Sequence, residues 1–455
     1  MAMDLENCFD RMAHPVSSLS CSQRLGVSSK ISQCMINTLR KMKHYMHTAY
    51  GDSDWSYSGS PSRPLQGAVQ GNGAASPIFI AISCVILAFL ESQTTGILII
   101  SAITMSIFTL SAIMYVDDAD ILIAATHKNE SHISIRNRVQ KSATVYKAGV
   151  HQTGGAIRPE KCRWYLIAFK WINGIAKYEY SPDTEPVTIE NSNGNEKVVE
   201  RLGIRTGWKG LSIVASPSGC WKQDHMNYLI NEKINPWNAS IRSSYLQRHD
   251  VYQAAFTSIF KSIDYTLPAT SLNSSQCKLI NAKLHKRYLP RIGIDSHMPL
   301  AYRCAPNKYQ GLNSLDVQTK QLIETLKLFM THAGTQSQLG QSIQLNLESM
   351  HISAGLNIPI FNLPYSKYNM LIEKGWLQDL WSSAELYDVT IQGSYITPVT
   401  NRVNDYHALM EKLIQLDMYT DEDIKSINRC RIYLQVQNLS EITSFLRNYK
   451  IVRPF

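Results

Sequence analysis

Residues 97–116, ILIISAITMSIFTLSAIMYV, form a run of twenty amino acids without a charge, and Asp117 and Asp118 follow it directly. A charge-free stretch of this length has to be shielded from water, either in a protein core or in a bilayer. The five Ser and Thr residues within it, together with many β-branched residues, favour a protein core. We therefore predict a buried helix followed by a buried strand, with a membrane hairpin over residues 77–116 as the alternative.

The two adjacent acids lie between apolar segments, residues 113–116 and 119–125, that both have strand character. Asp favours turns, so Asp117 and Asp118 are consistent with the polar tip of an ordinary β-hairpin. The alternative is a hairpin that delivers carboxylates to a metal site. That alternative requires partner residues elsewhere in the chain.

Size and composition limit the classes of protein to consider. A chain of 455 residues with 44% hydrophobic content can bury a sizeable core and form two or three domains. Its net charge of +9 favours a polyanionic partner. Nine cysteines without a C-x-x-C pair indicate neither a zinc site nor a disulfide framework, and the opening MAMDLENCF carries acids where a signal peptide is basic. We expect an intracellular protein, in the cytoplasm or the nucleus.

The pattern of residues predicts an α+β protein. Up to about residue 215 it mixes helix with antiparallel sheet, and from Asp224 onward it is mainly helical with short breaks at Pro and Gly. The predicted elements are a strand within residues 1–9, helices over 28–48, 78–91 and 133–150, a strand over 163–171, a hairpin turn at Asn173 and Gly174, and a basic helix over 278–291.

Five short motifs occur in a fixed order along the chain. Asp4 is followed five residues later by Phe9, and Tyr115 precedes Asp117 and Asp118 by two and three residues. The other motifs are Gln70 and Gly71 nine residues before Phe79, TGGAIRPEKC with Lys161, and ERLGI at residues 200–204. Their order and spacing resemble the palm motifs of reverse transcriptases of non-LTR retroelements. The segments PLQGAVQGNGA and GGAIRPEKCRWYLIAFKW further resemble reverse-transcriptase-like proteins of diatoms and other microbial eukaryotes.

The resemblance implies a fold and a domain order. It implies a right-hand polymerase palm with an antiparallel sheet over residues 1–215, a helical thumb-like region over 216–310, and a helical C-terminal region over 311–455. Asp4 lies too near the start for the fingers that precede this motif in the family. We therefore expect a truncated RNA-directed DNA polymerase with little or no activity of its own. A departure from the family pattern is Arg158, where the family carries Asn.

The resemblance also implies roles for the motif residues. Asp4 and Asp117 would bind two Mg²⁺ ions, or Mn²⁺, with Asp118 as a third ligand. Lys161 would donate a proton to the departing pyrophosphate or neutralise it, and a solvated surface lysine is the alternative. The residues implied in nucleotide binding are Phe9, Gln70, Gly71 and Tyr115, and the alternatives there are a core aromatic residue and an ordinary Gly-rich loop.

Nucleotidyl transfer explains why carboxylates are needed. A 3′-hydroxyl attacks an α-phosphorus in line, and negative charge gathers on the attacking and leaving oxygens. Two Mg²⁺ ions about 3.5–4 Å apart stabilise both ends, and Mg²⁺ prefers carboxylate oxygens. The implied partners are an RNA or DNA template with its primer and deoxynucleoside triphosphates, and no membrane.

The basic helix predicted over residues 278–291 could follow a phosphate backbone through Lys283, Lys286, Arg287 and Tyr288. A solvated helix face is the alternative interpretation of these charges. A second function class follows from the same surface: a decayed retroelement fragment that only binds nucleic acid.

Overall fold

The computed structural model describes residues 1–60, 62–63, 65–68, 72–101, 103–127, 130–172, 175–179, 185–219, 221–356, 358–392, 407–444 and 450–451. Helices make up 54% and strands 15%, so the chain is an α+β protein, as the sequence predicts. It divides into two compact units. Unit 1 comprises Met1–Ile99 and Thr109–Thr206, and unit 2 comprises Ile100–Phe108 and Gly207–Phe455. The finer division at residues 215 and 310 stays a prediction.

The chain up to residue 206 contains most of the strands. In chain order its elements are β1 (Ala2–Asp4), α1 (Cys8–Arg11), α2 (His14–Leu25), α3 (Ser29–Lys41), β2 (His44–Thr48), β3 (Gly51–Tyr57), α4 (Ala75–Gln93), β4 (Ile97–Ile100), β5 (Ile107–Leu110), β6 (Ala112–Tyr115), β7 (Asp118–Ile121), α5 (His132–Gln152), a 3₁₀ turn at Pro159–Lys161, β8 (Arg163–Trp164), β9 (Ala168–Ile172), β10 (Ile175–Glu179), β11 (Val187–Glu190) and β12 (Glu196–Arg201).

Six of these strands form one sheet in the order β11-β12-β8-β1-β7-β6. Neighbouring strands are antiparallel except β8 and β12, which are parallel. The short strand β1 therefore lies in the middle of the sheet, between strands that are more than a hundred residues away in the sequence. The remaining strands pair as two-stranded ribbons, β2 with β3, β4 with β5, and β9 with β10.

Helices α4 and α5 cover the core of unit 1. Helix α4 is apolar on nearly every side, and Ile78, Ile82 and Leu90 are among its buried residues. Its composition explains why the helix belongs in a core. In the described part of the chain it is the one helix that is long and apolar enough to cross a membrane. Helix α5 begins at His132, and the hydroxyl of its N-cap residue Ser131 accepts a hydrogen bond from the Ser134 amide at 3.2 Å.

The uncharged stretch 97–116 forms three strands, β4, β5 and β6, so the predicted helix there is wrong. The predicted burial is also wrong for Leu98, Ile100 and Ile107, which are exposed. Its β-branched isoleucines and threonines favour the extended conformation over the helix. The helix predicted over 28–48 ends at Lys41, and β2 begins three residues later. The strand predicted over 163–171 is likewise divided into β8 and β9. The hairpin predicted around Asn173 and Gly174 is formed by β9 and β10, although those two residues lie outside the described part.

Unit 2 is mainly helical. Its elements from residue 207 are β13 (Trp208–Gly210), β14 (Ile213–Ala215), α6 (Lys222–Tyr228), α7 (Asn235–Ser243), α8 (Arg248–Ala254), α9 (Phe260–Asp264), α10 (Ser274–Arg291), α11 (Leu300–Cys304), α12 (Val317–His332), α13 (Gln338–Ala354), α14 (Tyr365–Tyr368), α15 (Trp376–Leu386), α16 (Leu409–Leu416), α17 (Asp421–Leu434), β15 (Thr443–Ser444) and β16 (Lys450–Ile451). Two π-helical segments, Leu229–Ile234 and Ala255–Ile259, join α6 to α7 and α8 to α9.

Two large hydrophobic clusters hold unit 2 together. One includes Leu229, Ile280 and Leu284, and the other includes Phe329 and Trp381. Polar contacts connect helices of the two clusters. The Lys222 ammonium lies 2.7 Å from the Asp379 carboxylate, and the Trp376 indole donates a hydrogen bond to the Pro268 carbonyl at 2.9 Å.

The two faces of α4 give a matched test of the core. Ile82 is 0% exposed, whereas Ile80 on the same helix is 57% exposed. We expect Ile82→Ala to lower the free energy of unfolding by about 2–5 kcal/mol because it leaves a cavity. Ile80→Ala should change it by less than about 0.5 kcal/mol. Urea unfolding followed by circular dichroism measures both, and equal losses would place both side chains in the same environment.

Candidate active site

The pairing of β1 with β7 brings Asp4 directly opposite Asp118. Met3 and Leu5 on either side of Asp4 are buried in the core of unit 1, so Asp4 points to the other face of the sheet. The Leu5 amide donates a hydrogen bond to the Asp117 carbonyl at 3.3 Å. Two acids that are 114 residues apart in the sequence, together with the neighbouring Asp117, are therefore gathered at one end of β1.

The tip of the β6–β7 hairpin is strained. Tyr115 pairs with Asp118, which leaves Val116 and Asp117 as a two-residue turn. Val116 has a φ of 54°, in the left-handed region that a β-branched residue strongly disfavours. Such a conformation costs on the order of 1–3 kcal/mol and persists only where its surroundings impose it. Asp117 thus follows Val116, a residue that is unfavourable at this position of a turn.

A loop after α5 brings Lys161 to the acids. The Glu6 amide donates to the Ala156 carbonyl at 2.8 Å, and the Arg158 amide donates to the Asp4 carbonyl at 3.0 Å. The 3₁₀ turn Pro159–Lys161 follows, and the Lys161 ammonium lies 3.5 Å from Oδ2 of Asp4. Main-chain bonds to β1 therefore fix the loop, and the loop fixes the lysine.

Gly154 makes this arrangement possible. It ends α5 with a φ of +89°, and a Cβ at this position would lie 2.6 Å from the Arg11 carbonyl oxygen. Only glycine combines this backbone conformation with so close an approach. The helix predicted over residues 133–150 is confirmed, since α5 begins at His132 and ends at Gln152.

The pKa values of Asp4 and Asp118 are raised, mainly by loss of solvation. Loss of solvation raises the pKa of Asp4 above its usual 3.8, and the neighbouring charge of Asp117 adds to this while Lys161 opposes it. Loss of solvation also raises the pKa of Asp118, and the charges of Asp117 and Asp4 add to it. Oδ1 of Asp4 is buried and has no hydrogen-bond partner among the described residues. A buried carboxylate oxygen without a donor is costly, and a cation there would relieve the cost.

Asp120 is a further acid that the motif analysis missed. It pairs with Ala2 in the register that pairs Asp4 with Asp118. Ala119 and Ile121 are buried, so Asp118 and Asp120 lie on the face that carries Asp4. Loss of solvation raises the pKa of Asp120 as well. The alternation of acid and apolar residues in DADI is the signal that could have indicated it.

The donor set suits Mg²⁺ or Mn²⁺, since it consists of carboxylates that repel one another. Asp4, Asp117 and Asp118 would hold the ions. Among the described residues, however, no three His, Cys, Asp or Glu side chains converge closely enough to form a ready metal site. The Lys161 ammonium occupies the side of Asp4 near Oδ2. Ion binding would therefore require rotation of carboxylates from the orientations that they have in this structure.

The residues predicted to bind the nucleotide are placed differently from one another. Phe9 lies in α1, partly buried, with its ring 5.6 Å from that of Phe79. The Ala68 amide donates to the Phe9 carbonyl at 2.8 Å, so the Gly-rich loop approaches this turn closely. Tyr115 is exposed. The other two predicted residues, Gln70 and Gly71, lie outside the described residues.

The predicted basic helix is α10, which begins at Ser274 and ends at Arg291. Its exposed face carries Lys283, Lys286 and Arg287. Tyr288 is buried and packs against Phe260, with ring centroids 5.5 Å apart, so its predicted contact with nucleic acid is wrong. An i, i+4 and i+8 apolar stripe through residues 280, 284 and 288 buries this tyrosine as part of the core-facing side.

Comparison with known protein families finds no family model that matches the chain, and comparison with curated proteins finds no matching relative. The resemblance to reverse transcriptases therefore depends on the motif residues themselves and on how they are arranged.

The raised pKa of Asp118 predicts a pH-dependent stability. Its folded pKa lies above 3.8, so the protein should gain stability as the pH falls from 7 towards 4, because the folded state takes up the proton first. Asp118→Asn should raise the free energy of unfolding at pH 7, and the gain should shrink as the pH falls towards 4. Thermal unfolding in EDTA measures it. Asp54→Asn, at an exposed position on β3, should have no such effect, and a less stable Asp118→Asn protein at pH 7 would contradict the argument.

Proposed function

We propose that the chain is a template-directed nucleotidyltransferase of reverse-transcriptase type, with a palm in unit 1 and a thumb-like helical region in unit 2. The observation that carries this proposal is the pairing of Asp4 with Asp118 across β1 and β7, beside Asp117 and Lys161. The reverse-transcriptase motifs require these residues to meet, although they are far apart in the sequence.

The chain's own residues would act as follows. Asp4, Asp117 and Asp118 hold the divalent ions, which when bound lower the charge on the attacking and leaving oxygens. Lys161 neutralises the departing pyrophosphate or protonates it. Its ammonium lies 3.5 Å from Oδ2 of Asp4, and the negative charge of a bound substrate would attract it away from that carboxylate. Phe9 and Tyr115 would contact the nucleotide, with Phe9 excluding a ribose 2′-hydroxyl. The roles that the motifs imply for Gln70 and Gly71 stay predictions, because these two residues lie outside the described part of the chain.

A second function, nucleic-acid binding without catalysis, is favoured by a different observation. The Lys161–Asp4 ion pair already neutralises one ligand, and no ready metal site is formed by the described residues. In this case the exposed cations of α10 would carry the activity, and divalent ions would not be needed. The two functions share a polyanionic partner and differ in their need for metal.

Primer extension separates the two functions. We expect weak deoxynucleotide incorporation that depends on Mg²⁺ or Mn²⁺, and Asp4→Asn or Asp117→Asn should reduce it by at least about 100-fold, because the loss of one donor costs several kcal/mol of transition-state stabilisation. Binding of the primer–template should change little. Asp417→Asn, in unit 2, provides the control, since Asn tolerates the left-handed conformation there (φ 49°).

Nucleotide incorporation that persists in both Asp4→Asn and Asp117→Asn would contradict the assignment of these acids to the active site. An unaltered chain that binds nucleic acid but incorporates nothing with either metal would support the second function.

The salt dependence of binding tests the role of α10. Neutralising Lys283, Lys286 and Arg287 together should reduce the slope of log K against log salt by up to about 2–3 units, because each phosphate contact releases close to one counterion. A charge-matched control is the triple change of Lys412, Lys425 and Arg429, which lie on α16 and α17. Equal effects of the two triple variants would mean that the whole basic surface, and not α10, attracts the partner.

A further inference from the structure

The β2–β3 ribbon presents aromatic side chains to solvent. Trp55 is 62% exposed, Tyr57 is 61% exposed and Tyr45 is 55% exposed. In the described part of the chain this ribbon is a two-stranded sheet by itself, and isolated hairpins are marginally stable in water. Large aromatic groups on such a ribbon contribute little to a core, so their exposure requires another explanation.

The strand register sorts these aromatics onto two faces. His44 pairs with Tyr57, and Tyr45 pairs with Ser56. Paired residues share a face and successive residues alternate, so Tyr57 and Trp55 lie on the face of His44, whereas Tyr45 lies on the opposite face. The pairing shifts beyond Tyr45 and Ser56, where residues 53–55 stand opposite the single residue Met46. The face of Trp55 therefore follows from alternation along β3 next to the paired Ser56 and Tyr57, and not from a cross-strand partner. One face of the ribbon thus carries two exposed aromatic rings and an imidazole at neighbouring positions.

Cations flank this face at the start of the ribbon. Lys41 ends α3 and Lys43 precedes β2, and both are exposed. The exposed face of α3 has a shallow depression of about 490 Å³ with Lys30 and Lys41 among its lining residues. Neither lysine of the flanking pair forms an ion pair within the described ranges. Positive charge therefore leads directly into the aromatic face.

The chemistry of this face indicates which partner it fits. The β4–β5 ribbon exposes aliphatic residues, Leu98, Ile100 and Ile107 among them, as a protein-docking surface does. The aromatic face of β2–β3 is instead rich in π-systems and polar groups and lies beside cations. Flat rings next to positive charge suit unpaired bases on a phosphate backbone, since every base offers a π-face for stacking.

We propose that the face formed by His44, Trp55 and Tyr57, named here the aromatic face, binds single-stranded nucleic acid by stacking bases on Trp55 and Tyr57 while Lys41 and Lys43 contact phosphates. The inference rests on the proposed function for the class of partner, but it needs none of the carboxylates of the active site. It assigns a site for unpaired bases to a segment that the reverse-transcriptase motifs leave without a role.

The test compares bases with backbone on the full chain. The probes are a single-stranded oligothymidylate of about 12 nucleotides and the same backbone made entirely of abasic units. Trp55→Ala should weaken binding of the oligothymidylate by about 5- to 150-fold, the range that loss of one base–aromatic stack gives. Binding of the abasic strand should be unchanged by this substitution, and Trp55→Phe should retain most of the affinity for the oligothymidylate.

Tyr45→Ala is the matched control, because it removes an equally exposed aromatic from the same ribbon but from the opposite face. A loss as large as that of Trp55→Ala would point to unfolding of the ribbon and would overturn the proposal. Equal affinity of the unaltered chain for the abasic strand and the oligothymidylate would also overturn it, as would unchanged binding in Trp55→Ala.

The outcome is separable from that of the proposed function. Asp117→Asn should leave the discrimination between bases and abasic backbone intact. A chain that incorporates no nucleotide but stacks bases through Trp55 would retain this inference and lose the polymerase. An active polymerase that binds the oligothymidylate and the abasic strand equally would retain the proposed function and contradict this inference.

Discussion

The pairing of β1 with β7 is the contact on which the candidate site depends, and it places two carboxylates directly opposite each other. Like charges at such positions destabilise a sheet by a fraction of a kcal/mol to about 1 kcal/mol. The opposite face of the same strands buries Met3, Leu5 and Ala119 in the core of unit 1. A one-residue shift in the pairing of β1 with β7 would relieve the repulsion but would expose these apolar residues to water. Burial of the core therefore fixes the register despite the repulsion between the acids.

Three locally unfavourable features coincide at the end of β1. Val116 adopts a left-handed conformation, Oδ1 of Asp4 is buried without a donor, and burial raises the pKa of Asp118. An ordinary hairpin tip needs none of these, because a turn with Asn and Gly would form without strain. Strain and unpaired polar groups cluster at functional sites, where a ligand offsets their cost. Their coincidence supports a cation-dependent site over the simple turn that the two acids also suggest.

Unit 2 shows how a charged group can instead be fully satisfied. Glu348 on α13 is buried, and it accepts hydrogen bonds from the Ser101 hydroxyl, the Thr104 hydroxyl at 3.1 Å and the Thr104 amide at 3.4 Å. These donors lower the pKa of the glutamate, although burial alone would raise it. The contrast with Asp4 is instructive, since both carboxylates are shielded from water but only Glu348 is surrounded by donors. A structural role accounts for Glu348, whereas Asp4 still lacks a partner for one oxygen.

The sequence by itself determined the α+β class, helices α4, α5 and α10 and the acid-bearing hairpin, because periodicity, caps and turn residues act over a few positions. It mispredicted the helix within 97–116, since a uniformly apolar run has no period that distinguishes a buried helix from strands. Only the tertiary structure decided that Asp4 faces Asp118, that Lys161 reaches Asp4, that Asp120 joins the same face, and that Trp55 and Tyr57 share a face opposite Tyr45. Strand register depends on core packing between distant segments, so local sequence patterns do not reveal it, although the alternation in DADI is a local sign that Asp118 and Asp120 share a face.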